Sequence, residues 1–161
     1  MKKSLLLIFI LLFGCGYKIV GTETLNFDSV RIGKIVNATT EPKLEDKLYF
    51  VLTEEFMKRG VTVTDQSENV IDGTITDFTT RILSEKLDYA VEYEIVITGD
   101  FVLRRGDEKI KEIKGMMSPF IESYKSPEYS EKINPLTAAK EIREEEALRV
   151  LSKRLISNLA Y

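Results

Sequence analysis

Few side chains in this sequence could do chemistry, and the most specific of them is Cys15, the only cysteine of the chain. It stands in Leu12-Phe13-Gly14-Cys15-Gly16, at the end of a short apolar run. A lone cysteine is ordinarily a small buried hydrophobe or an unpaired thiol. Here its position points instead to cleavage and acylation: Met1-Lys2-Lys3 is a basic start, Leu5 to Phe13 an apolar core, and Gly14 a small residue at the cleavage point. Leu12 and Gly14 suit a lipoprotein signal peptidase, while Phe13 is larger than usual there. The apolar core is far short of the roughly 20 residues that a spanning helix needs. The expected mature chain therefore starts at Cys15 and carries fatty acyl chains such as palmitate. One chain would anchor it marginally and several stably, at about 0.8 kcal/mol per buried CH2. Gly16 replaces the Asp that commonly retains lipoproteins at the inner membrane, which favours the outer membrane.

There is no histidine. That removes Ser-His-Asp and Cys-His catalysis, histidine metal sites and the commonest general base. With Cys15 committed to lipid, disulfides and cysteine zinc sites go as well. No metal or cofactor is expected.

Carboxylates, lysines, tyrosines and hydroxyls remain. Glu144-Glu145-Glu146 are consecutive, so on a helix they point about 100° apart, cannot converge on one ion, and read as a solvated face. Glu92 and Glu94 share one strand face and could hold a cation or act as acid and base, but alternating strands carry such pairs everywhere. Arg105-Gly106-Asp107 matches an adhesion tripeptide while consisting of ordinary turn residues. A better candidate is the cluster Arg104, Arg105, Lys109, Lys111 and Lys114 on one hairpin, with Arg81 and Lys86 near the neighbouring turn. Concentrated positive charge in an acidic protein suits an anion such as phosphate. A solubilising hairpin neutralised by Asp107, Glu108 and Glu112 is an equally good reading.

The elements that must position these groups follow from periodicity. Of 161 residues, removal of residues 1–14 leaves 147, a one-domain length. Losing Lys2 and Lys3 takes the basic count from 23 to 21 against 26 acidic residues, and the net charge from −3 to −5. Such a balance argues against general nucleic-acid binding. Residues 15–28 form a lipidated N-terminus and linker, part of which docks, and residues 29–161 a single domain. Ser29 to Val36 is a first strand. Thr40 or Glu41 caps a helix with Pro42 in its first turn and an apolar stripe of Leu44, Leu48, Val51, Leu52 and Phe56, stopped at Gly60.

Val61 to Thr64 and Val70 to Leu83 are extended. Tyr89 to Arg105 alternates most clearly, with Val91, Tyr93, Ile95, Ile97, Phe101 and Leu103 on one side and Glu92, Glu94, Thr98, Asp100 and Arg104 on the other. Its length predicts a bulge or bend at Gly99. Lys109 to Met117 returns as a hairpin partner, Ser118 to Lys132 is a long loop, and Asn134-Pro135 opens a closing helix. The order β-α-β-β-β-β-α predicts an α+β two-layer sandwich, with two amphipathic helices on one face of a mostly antiparallel four- or five-stranded sheet. The other face is polar and must meet water or a polar partner.

These landmarks resemble the LptE family of lipopolysaccharide-assembly lipoproteins over nearly the whole chain. The similarity is carried by Cys15-Gly16-Tyr17, by Asn37 to Glu45 before and into the first helix, by Glu54-Glu55-Phe56 with Arg59-Gly60, by Asp72-Gly73-Thr74-Ile75, by Glu92-Tyr93 and by Glu145-Glu146-Ala147. The resemblance implies a non-catalytic outer-membrane lipoprotein that plugs the β-barrel LptD and binds lipopolysaccharide. From local charge, Arg104, Arg105 and Lys109 are the candidate lipopolysaccharide phosphate contacts. Two other readings compete: a lipoprotein of similar fold serving another envelope secretion complex, and a periplasmic hydrolase with two converging carboxylates.

Overall fold

The computed structural model describes residues 25–86, 89–118, 121–122 and 135–160. The expected signal peptide, Cys15 and most of the linker lie outside the described residues. The order is β1 (Ser29–Asn37), α1 (Leu44–Lys58), β2 (Thr62–Val63), β3 (Asn69–Lys86), β4 (Tyr89–Arg105), β5 (Glu108–Met117), β6 (Ile121–Glu122) and α2 (Pro135–Leu159). Both helices pack against a sheet of order β2-β1-β3-β4-β5, with β6 paired to β4. This is the expected α+β architecture.

The ladders β3–β4 and β4–β5 are antiparallel, while β1 runs parallel to β2 and to β3. The parallel pairs follow from α1, whose crossover brings β2 back alongside β1 in the same direction. The chain then crosses the start of β1 to begin β3 on its other side. Polar bonds hold that crossing: Thr64 N–H donates to the Val30 carbonyl at 2.9 Å, and the Asn69 side-chain amide to the Ser29 carbonyl at 3.1 Å.

The α1 stripe is buried as its spacing predicts, with Leu44, Leu48, Leu52 and Phe56 fully covered. Leu148, Leu151, Leu155 and Ile156 of α2 join it over Val30, Ile71, Ile75, Ile97 and Phe101 of the sheet. Phe27 docks too, its ring 6.5 Å from that of Phe56, so the linker's end belongs to the core.

Four local expectations change. The helix starts at Leu44 with Lys43 in the left-handed region at φ 63, not with a cap at Thr40 or Glu41. The preceding turn is wound around Asn37: its Oδ1 accepts from Thr39, and its amide donates to the Glu41 carbonyl at 2.7 Å and to Glu45 Oε2 at 2.9 Å. β4 is continuous through Gly99, and the register shifts fall on its neighbours, at Thr76 in β3 and at Gly115, φ 60, in β5. Ile121–Glu122, inside the expected loop, is a short strand on β4, and the rest of that loop beyond Ser118 lies outside the described residues.

The fourth change concerns Glu144, which is not solvated. It is 2 % exposed and pairs with Lys47 at 2.5 Å, because α2 crosses α1 and brings that residue against the first helix, while Glu145 stays outside.

Candidate functional site

The helices cover one face of the sheet, and strand alternation sends every second side chain to the other. Arg31 and Lys34 of β1, Asp72 and Thr74 of β3, Asp100 and Arg104 of β4, and Glu112 and Lys114 of β5 line two adjoining open depressions there. The expected polar face is thus present, and with Asp107 its cations and carboxylates are equal in number in this region.

At its centre is Asp72. One carboxylate oxygen accepts the Lys34 backbone N–H at 2.9 Å, and the other lies 3.0 Å from Arg104 Nη2. Gly33 makes this possible: a Cβ there would lie 2.4 Å from Asp72 Oδ1, and β1 bulges between Ile32 and Ile35 as it passes. A fixed carboxylate therefore orients Arg104, whose side chain stays half exposed.

The structure brings Arg104 and Lys109 together as a cross-strand pair. Lys109 Nζ is 2.5 Å from Glu112 Oε2, and Lys114 is 3.3 Å from the other oxygen of that carboxylate. Hydrogen bonds from Lys109, then from Lys114, hold the Glu112 carboxyl below its usual range. Arg105 lies on the opposite pleat, where its Nε donates to Asn69 Oδ1 at 3.0 Å, so the three proposed contacts do not converge. Lys111 also points to the helix side, donating to the Asn158 carbonyl at the end of α2. Gly106, φ 58, and Asp107 are hairpin turn residues as read, with Gly106 N–H bonded to the Glu68 carbonyl.

Arg81 does not join the cluster. It pairs with Glu94 at 3.6 Å near the far end of the β3–β4 hairpin, and the span from Val70, opposite Arg104, to Arg81 is roughly 35 Å at about 3.3 Å per residue. The reason is topological: in an antiparallel pair the end of β3 lies beside the start of β4, whereas the β4–β5 turn is at the other end. Lys86 is paired in the same distal part of the hairpin, and the side chains of Lys86 and Glu92 lie outside those described. Arg31 and Lys34 were missed as site residues. Alternation outward from Val30 and Ile32 signals Arg31, but Lys34 faces out only because of the Gly33 bulge.

A family model described as lipopolysaccharide-assembly, LptE, matches residues 27–160. The chain belongs to the LptE family. Among solved structures, a protein from Xanthomonas campestris shares 13 % identity with this LptE-family chain at a TM-score of 0.51, over 81 % of this chain and 82 % of the other. The solution structure of lipoprotein B from Nitrosomonas europaea shares 16 % identity at a TM-score of 0.50, over 88 % of each. Both show the same fold. A minor lipoprotein from Acinetobacter baumannii is also similar, with 17 % identity, a TM-score of 0.48, and coverage of 85 % and 93 %. No curated protein matches the chain.

Proposed function

We propose that this LptE-family chain is a non-catalytic outer-membrane lipoprotein, held by acyl chains on Cys15 after removal of residues 1–14, whose domain of residues 29–161 plugs the lumen of the β-barrel LptD and binds lipopolysaccharide. The observation that carries the reading is the polar open face of the sheet, with Arg104 aimed by Asp72 and flanked by Lys34, Lys109 and Lys114. Barrel lumens are polar, so a domain presenting such a face suits one, and phosphate groups suit its cations.

Arg104 and Lys109 would contact phosphate from the open face, and Arg105, held to Asn69 on the opposite pleat, would meet a separate anionic group. Among the described residues, the acids with a shifted pKa, Glu54, Glu55 and Glu112, are all lowered by neighbouring cations. A general acid needs the opposite shift, so none of these three carboxyls suits that role.

Reversing Arg104, Arg105 and Lys109 to Glu together is expected to weaken lipopolysaccharide binding at least about tenfold, since each charge-assisted hydrogen bond is worth about 1.5–3 kcal/mol. The melting temperature should fall by a few degrees, because the reversed charges at positions 104 and 109 meet Asp72 and Glu112 on an exposed face. Unchanged affinity in the folded variant would remove these residues from the contact.

A further inference from the structure

Helix α1 is apolar on two sides. Leu44, Leu48, Val51, Leu52 and Phe56 are buried toward the core. At about 100° per residue, Phe50 and Met57 point directly away from that stripe, with Tyr49 and Thr53 beside them. Among the described residues Phe50 and Met57 are the most exposed large hydrophobic side chains, at 69 % and 64 %, and Tyr49 is 40 % exposed. The rings of Tyr49 and Phe50 meet edge to face, 6.0 Å apart, so they form one patch. Asp46, the one charged residue in this arc, lies about a turn before Tyr49, at the start of the helix. Large apolar side chains scattered singly over a surface need no explanation, but a stripe of them on one helix face marks a contact.

Size and place decide what that contact is. Three such side chains expose roughly a few hundred Å², whereas a stable protein interface takes about 800 Å² from each partner. The stripe is therefore too small to hold a second copy or a protein partner by itself. A lipid leaflet makes no such demand, because the apolar side chains of a surface helix settle into the boundary between headgroups and acyl chains.

The chain also enters the domain beside this helix. Phe27 packs on Phe56, the residue next to Met57, and the Asp28 carbonyl accepts the Thr62 N–H just beyond the helix end. Leu25 is ten residues after Cys15, which is at most about 36 Å of extended chain. An anchor on Cys15 thus keeps α1 close to the leaflet that holds the acyl chains, and a contact made within that reach needs little affinity of its own.

We propose that the Tyr49, Phe50 and Met57 stripe of α1 rests on the phospholipid leaflet that holds the anchor whenever the chain is not seated in a barrel. This rests on the Cys15 anchor of the reading above. Because α1 covers one face of the sheet, the contact turns the open polar face with Arg104 toward the aqueous side.

The chain has no tryptophan, so Phe50→Trp installs a single fluorophore on the stripe and Lys114→Trp a single one on the open face. Each full lipidated chain is reconstituted alone in vesicles of phosphatidylethanolamine and phosphatidylglycerol. Lipids brominated high on their acyl chains should quench the indole at position 50 at least about twofold and leave the one at position 114 as it was. No quenching at position 50, or equal quenching at both, overturns the proposal while the anchor stands. A Cys15 that mass spectrometry finds without acyl chains overturns the anchor reading and the proposal with it. Emission from position 50 that is already blue-shifted without lipid is also contrary: it assigns the stripe to another part of this chain, or to a second copy where the shift grows with concentration. Met57→Trp repeats the measurement on the same stripe and decides the matter where the first variant fails to fold.

Discussion

Phe101→Ala is expected to destabilise the domain by about 3–5 kcal/mol, the usual cost of emptying a large buried aromatic site. Phe101 is 1 % exposed, and its ring lies over two glycines: a Cβ at Gly73 would be 2.9 Å from it, and one at Gly99 would be 3.1 Å away. Neither glycine can fill the space that the ring would leave: Gly73 is paired opposite Phe101, and Gly99 opposite Ile75 at the edge of a register shift. The cavity therefore cannot collapse cheaply. Thermal melting of the variant should fall by roughly 10–15 °C for a domain of this size. Phe101→Leu should lose less than half as much, and an alanine variant melting within about 2 °C of the parent would show that the ring is not the keystone of this face.

The second large effect is expected at Arg149. It is the hub between the helices: Nη1 lies 2.6 Å from Glu54 Oε2 and 3.3 Å from Glu55 Oε1, and Nη2 lies 2.8 Å from Glu145 Oε1. Glu55 is buried, so loss of a partner leaves a desolvated charge. Breaking a buried pair costs about 3–5 kcal/mol, but Lys58 at 3.1 Å and Arg59 at 3.3 Å remain on Glu55, so Arg149→Ala should cost about 2–3 kcal/mol.

Burial pushes the Glu55 carboxyl up, yet hydrogen bonds and charge from Lys58, with a hydrogen bond from Arg149, outweigh it and hold the group below its ordinary value of 4.5. A carboxyl lowered on folding contributes stability above its unfolded pKa and loses it as pH falls through the folded one. The gap between parent and Arg149→Ala should thus be full at pH 7 and narrow below pH 4.5. Chemical denaturation of both chains across that range checks it; a gap unchanged at acid pH would mean that Arg149 acts by packing alone.

These two sites differ in how well the sequence announced them. The β4 alternation that marks Phe101 as buried, and the spacing of Leu44 to Phe56, are periodic signals set by local geometry. Gly99 was legible as special, and both its ladders shift register beside it, but that the glycine also makes room for a ring two residues along was not legible. Glu55, Glu144 and Arg149 were not legible, because their burial depends on how two helices distant in sequence cross. The candidate site was partly legible in the same sense. Arg104 and Lys109 stand opposite each other because a hairpin is local. Arg81 was misplaced and Lys34 missed, since one depends on which end of β3 meets which end of β4 and the other on a bulge created by the approach of Asp72 to Gly33.

The central claim is that this LptE-family lipoprotein works fixed to the outer membrane and seated in a barrel. Its most direct test is to capture the full-length lipidated chain from detergent-solubilised envelope and identify the bound protein and lipid by mass spectrometry. The expected result is LptD and lipopolysaccharide in near-stoichiometric amounts, lost to the soluble fraction when Cys15 is changed to Ser. A chain recovered from the envelope with neither, or with the barrel of a different secretion complex, would contradict the account.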